Sequence, residues 1–128
     1  MRIEVARAID EVKAQFPDST VTVTDDGQGG ARLIIEPVSI GARYRPTVTW
    51  LGFHVPPQYP YADIYPVFIG AEVSRSDGSA FQVPVTPNHT FESRRALQVS
   101  RRSPAAQNGH QTAVAKILKI LDFLERLP

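Results

Sequence analysis

The sequence predicts an α+β fold, with a helix at each end of the chain and an antiparallel meander between them. Three observations carry this. Val5, Ile9, Val12 and Phe16 recur at i, i+4, i+7 and i+11, which sets them on one stripe of a helix. Residues 20–24 alternate threonine with valine, the period-two pattern of a strand. Val114, Ile117, Leu118, Leu121 and Leu124 form a second helical stripe near the end.

Each element follows in order. The first helix spans about residues 2–16 and stops at Pro17-Asp18. After the strand at 20–24, Asp25-Asp26-Gly27-Gln28-Gly29-Gly30 is a turn-rich connection, and residues 31–36 with Leu33, Ile34 and Ile35 form the return strand. A third strand runs over about 43–55. There Tyr44, Val48 and Trp50 share one parity, and Leu51, Phe53 and Val55 the other. This change of face predicts a bulge, with Gly52 as the candidate. Prolines at 56, 57 and 60 end regular pairing, because proline has no ladder donor. Residues 66–70 give a short fourth strand. Tyr59, Tyr61, Tyr65 and Trp50 are expected to pack the proline-rich loop against the sheet. From 81 to 109 no periodicity holds, which predicts a long functional loop. The last helix covers about 112–127, with Thr112 as its N-cap and Lys116, Lys119 and Glu125 off the apolar stripe.

The totals narrow the function classes. One domain over 1–128 is expected at this length, large enough to fold without staples. The net charge of +1 supplies no general field for nucleic acid or an anionic membrane. No apolar run reaches the roughly 20 residues of a membrane span. The first residues lack the charged-then-apolar layout of a signal peptide, so a cytoplasmic location is expected. There is no cysteine, which excludes disulfides, thiolate metal sites and a cysteine nucleophile in this chain. His54, His89 and His110 are not at metal-ligand spacing and no acidic cluster joins them, so neither metal nor cofactor is expected.

Three segments in register resemble the ubiquitin-conjugating enzyme family. Pro56-Pro57-Gln58-Tyr59-Pro60, followed by a Pro66-led strand, resembles its Phe-Pro-x-x-Tyr-Pro segment. Thr86-Pro87-Asn88 resembles its His-Pro-Asn tripeptide, with threonine in the histidine slot. Ala96-Leu97-Gln98-Val99-Ser100 resembles the stretch that carries its catalytic cysteine. Ala96 follows Asn88 by eight residues, the spacing found in the family, and Ser103-Pro104 resembles a Ser-Pro that comes shortly after the cysteine. The resemblance covers nearly the whole chain. It departs at Thr86 and Ala96, and it lacks two C-terminal helices of many eukaryotic members. Shortened forms of this kind are similar to those of bacterial ubiquitin-like conjugation operons, some of which serve antiphage defence.

The resemblance implies a fold and a chemistry. The fold is an N-terminal helix, a four-stranded antiparallel meander, a long active-site loop and a C-terminal helix. The chemistry is transfer of a ubiquitin-like modifier, taken as a thioester from an activating enzyme and passed to a target protein. Ala96 stands at the position of the thioester cysteine, so this chain is expected to be inactive. Ala96 reads as an engineered trap, as a natural inactive variant, or as coincidence. Asn88 would stabilise the oxyanion or brace the loop. The alternative is a non-catalytic modifier-binding or scaffold module of the same fold, comparable to the conjugating-enzyme-variant or RWD-like domains. Asn88 and Ala96 are expected to meet at a shallow groove with the Ala96 side chain accessible.

Arg94, Arg95, Arg101 and Arg102 flank Ala96 and read as a local basic patch for a modifier's tail or an acidic partner surface. No aromatics alternate with them, against single-stranded nucleic acid as the partner. His89, next to Asn88, could tune an incoming amine; a solvent-exposed loop histidine is the plainer reading.

Overall fold

The computed structural model describes residues 1–103 and 111–127. Pro104 and His110, both singled out above, lie outside them. Helix α1 (Ile3–Gln15) buries Val5, Ala8, Ile9 and Val12. Glu4 in its first turn and Lys13 in its last complement the helix dipole. Helix α2 (Ala113–Arg126) starts at Thr112, whose hydroxyl accepts the backbone N–H of Ala115 at 3.1 Å.

Between them lie β1 (Thr20–Asp25), β2 (Ala31–Ser39), β3 (Tyr44–Arg45), β4 (Val48–Val55), β5 (Val67–Gly70), β6 (Ser74–Arg75), β7 (Val85–Phe91) and β8 (Arg94–Val99). The main sheet has the order β1-β2-β4-β5-β8-β7, and every neighbouring pair is antiparallel. β3 and β6 form a separate two-stranded ribbon. The helix–antiparallel sheet–helix class is therefore as expected. The four expected strands are present as β1, β2, β4 and β5, but the sheet has six.

The extra pair, β7 and β8, corrects the expected long loop over the described part of 81–109. β7 reads Val-Thr-Pro-Asn-His-Thr-Phe, and its proline masks the pattern. Proline is tolerated there because β7 is an edge strand. The expected third strand is also divided, into β3 and β4, with Pro46 in the gap. No bulge occurs at Gly52, which pairs regularly with Ile34 and with Phe68. The register shift lies in β2 between Ile35 and Val38, around Pro37. β4 shows apolar residues on both parities because it is central and both its faces are covered.

Those faces hold two cores. Leu33, Ile35, Leu51, Phe53, Val67, Ile69, Leu97 and Val99 point to the helix side and pack with both helices. On the opposite side, Ile34, Trp50, Phe91 and Ala96 form a smaller cluster with Phe68 against it. Phe91 stacks on Phe68 at 5.0 Å between ring centroids. It also lies over Gly52, where an added Cβ would come within 2.6 Å of its ring. The end of the β7–β8 hairpin thus folds back over the sheet, and Arg94–Glu36 (3.0 Å) and Arg32–Glu92 (3.4 Å) tie it to β2.

The apolar stripe of α2 is rotated from expectation. Ala113, Lys116, Ile117, Ile120 and Leu124 are buried, while Leu118 is 42% exposed. Tyr44 donates its hydroxyl to the Leu124 carbonyl at 2.6 Å, and Arg43 Nε donates to the Glu125 carbonyl at 2.6 Å. Both satisfy acceptors that a helix C-terminus leaves open.

Candidate functional site

The residues singled out around Ala96 sit on one β-hairpin. Glu92 and Ser93 make its two-residue turn, both at positive φ (49° and 64°), the handedness that matches the twist of paired strands. A register shift between Thr86 and His89 accommodates Pro87 and Asn88. Asn88 is exposed and takes a left-handed φ of 69°, a conformation asparagine tolerates better than most residues. Thr86 Oγ1 lies 3.0 Å from His89 Nε2, which closes the bulge from side to side. The Thr-Pro-Asn tripeptide therefore builds a bulge in an edge strand.

Ala96 lies in β8 between His89 of β7 and Gly70 of β5. Its side chain is 1% exposed and belongs to the cluster of Ile34, Trp50 and Phe91. The expected accessible position in a groove is not met, because this stretch is strand and the folded-back aromatic rings cover that face of it. Asn88 is next in sequence to the cross-strand partner of Ala96, so the two are near in register. One is in solvent and the other in a core.

The four arginines do not form one patch. Arg94 pairs with Glu36 and stacks over Trp50 at 5.4 Å. Arg95 is exposed, and its carbonyl accepts the Ala71 N–H at 3.2 Å. Beyond the other end of β8, Arg101 lies over Phe123 at 4.3 Å and Arg102 over Tyr65 at 3.9 Å. At about 3.3 Å per residue, an extended strand puts roughly 20 Å between the two groups. His89 is half-buried, with its ring tilted against Phe68 at 6.4 Å.

A polar cluster under the start of α2 has no counterpart in the sequence pattern. Lys116, placed off the stripe, is 1% exposed. Its Nζ donates to the Arg101 carbonyl (2.6 Å), Ser103 Oγ (3.1 Å) and Asp63 Oδ2 (3.2 Å). Asp63 Oδ2 also accepts the Ser103 N–H at 2.6 Å. Burial pushes the Lys116 ammonium below its ordinary pKa, and Asp63 pulls it back. Tyr59, 7% exposed, accepts the Ala113 N–H at 3.0 Å, and burial raises its phenol pKa. Tyr61, in contrast, is 67% exposed, and Trp50 belongs to the opposite face, so only part of the expected aromatic packing of the loop is found. A second unforeseen pair is Asp26 with His54, at 2.7 Å. Neither contact had a sequence signal, since the partners are 53 and 28 residues apart.

Chemically, the Thr86–His89 contact is a hydroxyl–imidazole pair, yet among the described residues no carboxylate pairs with His89 to orient it. The Lys116 cluster has every ammonium proton engaged in holding two loops to α2. Among the described residues, no three His, Asp or Glu side chains come together as a metal-holding group, and no helix is long and apolar enough to cross a membrane. The fold and these contacts define an α+β scaffold whose polar clusters fasten loops. Compared with family models, with curated proteins and with solved structures, the chain matches none.

Proposed function

We propose that the chain is a non-catalytic protein-binding module on a scaffold similar to the ubiquitin-conjugating fold, and that it docks a ubiquitin-like modifier. The scaffold likeness is supported by the order of α1, the β1-β2-β4-β5 meander, the proline-rich crossing and α2. The observation that carries the non-catalytic reading is the 1% exposure of Ala96 within an aromatic-covered cluster. A nucleophile must reach the carbonyl it attacks, and a side chain beneath Trp50 and Phe91 has no path to one. The enzyme reading keeps one observation on its side: Asn88 lies beside His89, the cross-strand partner of Ala96.

Ala96→Cys separates the two readings. In a chain with no other cysteine, the new thiol can be followed alone. The module reading expects it to react with a maleimide only on unfolding. With an activating enzyme, ATP and modifier, it should form no reductant-sensitive adduct, while the unaltered chain binds ubiquitin or a related modifier in an NMR titration. A thioester adduct on the folded variant overturns the module in favour of the enzyme. Absence of both adduct and binding removes the modifier from the proposal.

A further inference from the structure

The two edges of the main sheet are built differently. β7 is protected as natural edges usually are, by a proline, a bulge and a left-handed residue at Asn88. β1 has none of these. Its run Thr20-Val21-Thr22-Val23-Thr24 holds no charge, no proline and no glycine, its single charge is the exposed Asp25 at the hairpin end, and among the described residues no strand lies on its outer side. Such a strand is a ready template for another.

Its backbone alternation can be counted from the connecting turn. Asp26 N–H donates to the Gly30 carbonyl at 3.2 Å, so Asp26 and Gly30 form a hydrogen-bonding pair. In an antiparallel ladder such pairs recur at every second residue. Thr24, Thr22 and Thr20 therefore turn their backbone groups to β2, opposite Arg32, Ile34 and Glu36. Val21 and Val23 turn theirs outward. The side chains alternate as well: the threonines are exposed on the open face, and the two valines are half-buried against the helix-side core.

We infer that β1 pairs antiparallel with β1 of a second copy of this chain, about a two-fold axis through Thr22. The occupant is chosen by the palindrome in the strand. Centred on Thr22, that register sets Val21 against Val23 and Thr20 against Thr24, so like meets like in every row of the Thr-Val run, and Asp25 falls opposite Ser19 beyond it. Two Val21–Val23 pairs supply about four backbone hydrogen bonds from groups that otherwise face water. The valines cover each other on the helix side, and the threonines meet in cross-strand pairs that favour one another. A two-fold axis needs a self-complementary patch, and a palindromic strand is one. The product is a continuous sheet through both copies. A single strand edge buries less than a standard stable interface, so the dimer should form at micromolar concentrations and above.

Sedimentation velocity across a concentration series reads this, with the weight-average mass expected to rise toward twice that of the chain. Thr22→Lys sets two ammonium groups against each other at the axis on an exposed face, and should hold the chain monomeric while its melting temperature stays within a few degrees. Thr22→Cys provides the register. At a non-hydrogen-bonded pair the two Cα atoms stand about 4.5 Å apart, within reach of a disulfide. Thr22→Cys should therefore oxidise to a covalent dimer at least tenfold faster than Thr20→Cys, whose partner across the axis is Thr24. Mixing Thr20→Cys with Thr24→Cys should restore the fast reaction. A chain that stays monomeric into the high-micromolar range overturns the inference. So does a dimer that Thr22→Lys leaves intact, or one in which Thr20→Cys crosslinks as fast as Thr22→Cys.

Discussion

Lys116 on α2 and Asp63 in the proline-rich crossing form an ion pair at 3.2 Å, with the lysine side chain 2% and the aspartate 15% exposed. The pair joins the crossing between β4 and β5 to the last helix. The same ammonium holds Arg101 and Ser103, so the segment leaving β8 is fixed at the same point. Taking both charges out of water costs several kcal/mol, which this geometry offsets only while both partners are present.

Lys116→Met should therefore be strongly destabilising. Methionine keeps the volume of the stem but leaves Asp63 without its cation, and breaking a buried pair from one side costs about 3–5 kcal/mol. Adding Asp63→Asn removes the stranded charge and should recover part of that loss, so the double variant is more stable than the single effects would sum to. Urea unfolding of the four chains reads the coupling. Strictly additive effects would show that Lys116 does not act through Asp63, leaving its packing and its bonds to Arg101 and Ser103.

Asn88 gives a sharper view of the tripeptide at the bulge. Its φ of 69° costs a residue bearing a Cβ roughly 1–2 kcal/mol unless the side chain suits that region. Asn88→Gly should be neutral or slightly stabilising, and Asn88→Ala should lose about 1 kcal/mol in urea unfolding. If glycine is as harmful as alanine, the amide itself forms a contact that the bulge geometry does not require.

The first helix and the first strand are legible in the sequence for a plain physical reason. Val5, Ile9 and Val12 face a core on one side and water on the other, so the 3.6-residue period survives. The same holds for Val21 and Val23 against the threonines of β1. β4 is buried on both faces and carries no alternation, which made Gly52 look like a bulge. β7 and β8 look like loop in the sequence because Pro87 and Asn88 are breaker residues whose cost an edge strand avoids. The burial of Lys116 is hidden for a different reason. A lysine within an apolar stripe counts as solvent-facing until its partners are known, and Asp63, Arg101 and Ser103 are brought to it only by the tertiary fold. The spacing of Asn88 and Ala96 was correct as arithmetic, but spacing does not say whether a position between them is loop or strand.

The turn at Asp26 should respond to acid. Asp26 accepts the backbone N–H groups of Gln28 (2.7 Å) and Gly30 (2.9 Å) through Oδ1, and Oδ2 meets His54 Nε2 at 2.7 Å. The His54 hydrogen bond does most to hold this carboxyl below the usual aspartate range, the Gln28 N–H comes next, and burial opposes both. A carboxyl whose folded pKa is depressed favours the native state when ionised. Its contribution is complete above the unfolded value, near pH 4, and is lost as pH falls through the lower folded value. Asp26→Asn should accordingly melt below the unaltered chain at pH 6, and the two melting curves should converge as the pH is taken down past about 4 toward 2. The turn of residues 26–30 should loosen in step, seen as faster amide exchange at Gln28 and Gly30 in the variant at pH 6. Melting temperatures that stay parallel from pH 6 to acid would mean that ionisation of Asp26 contributes nothing to stability, and that the side chain serves the turn equally well when neutral.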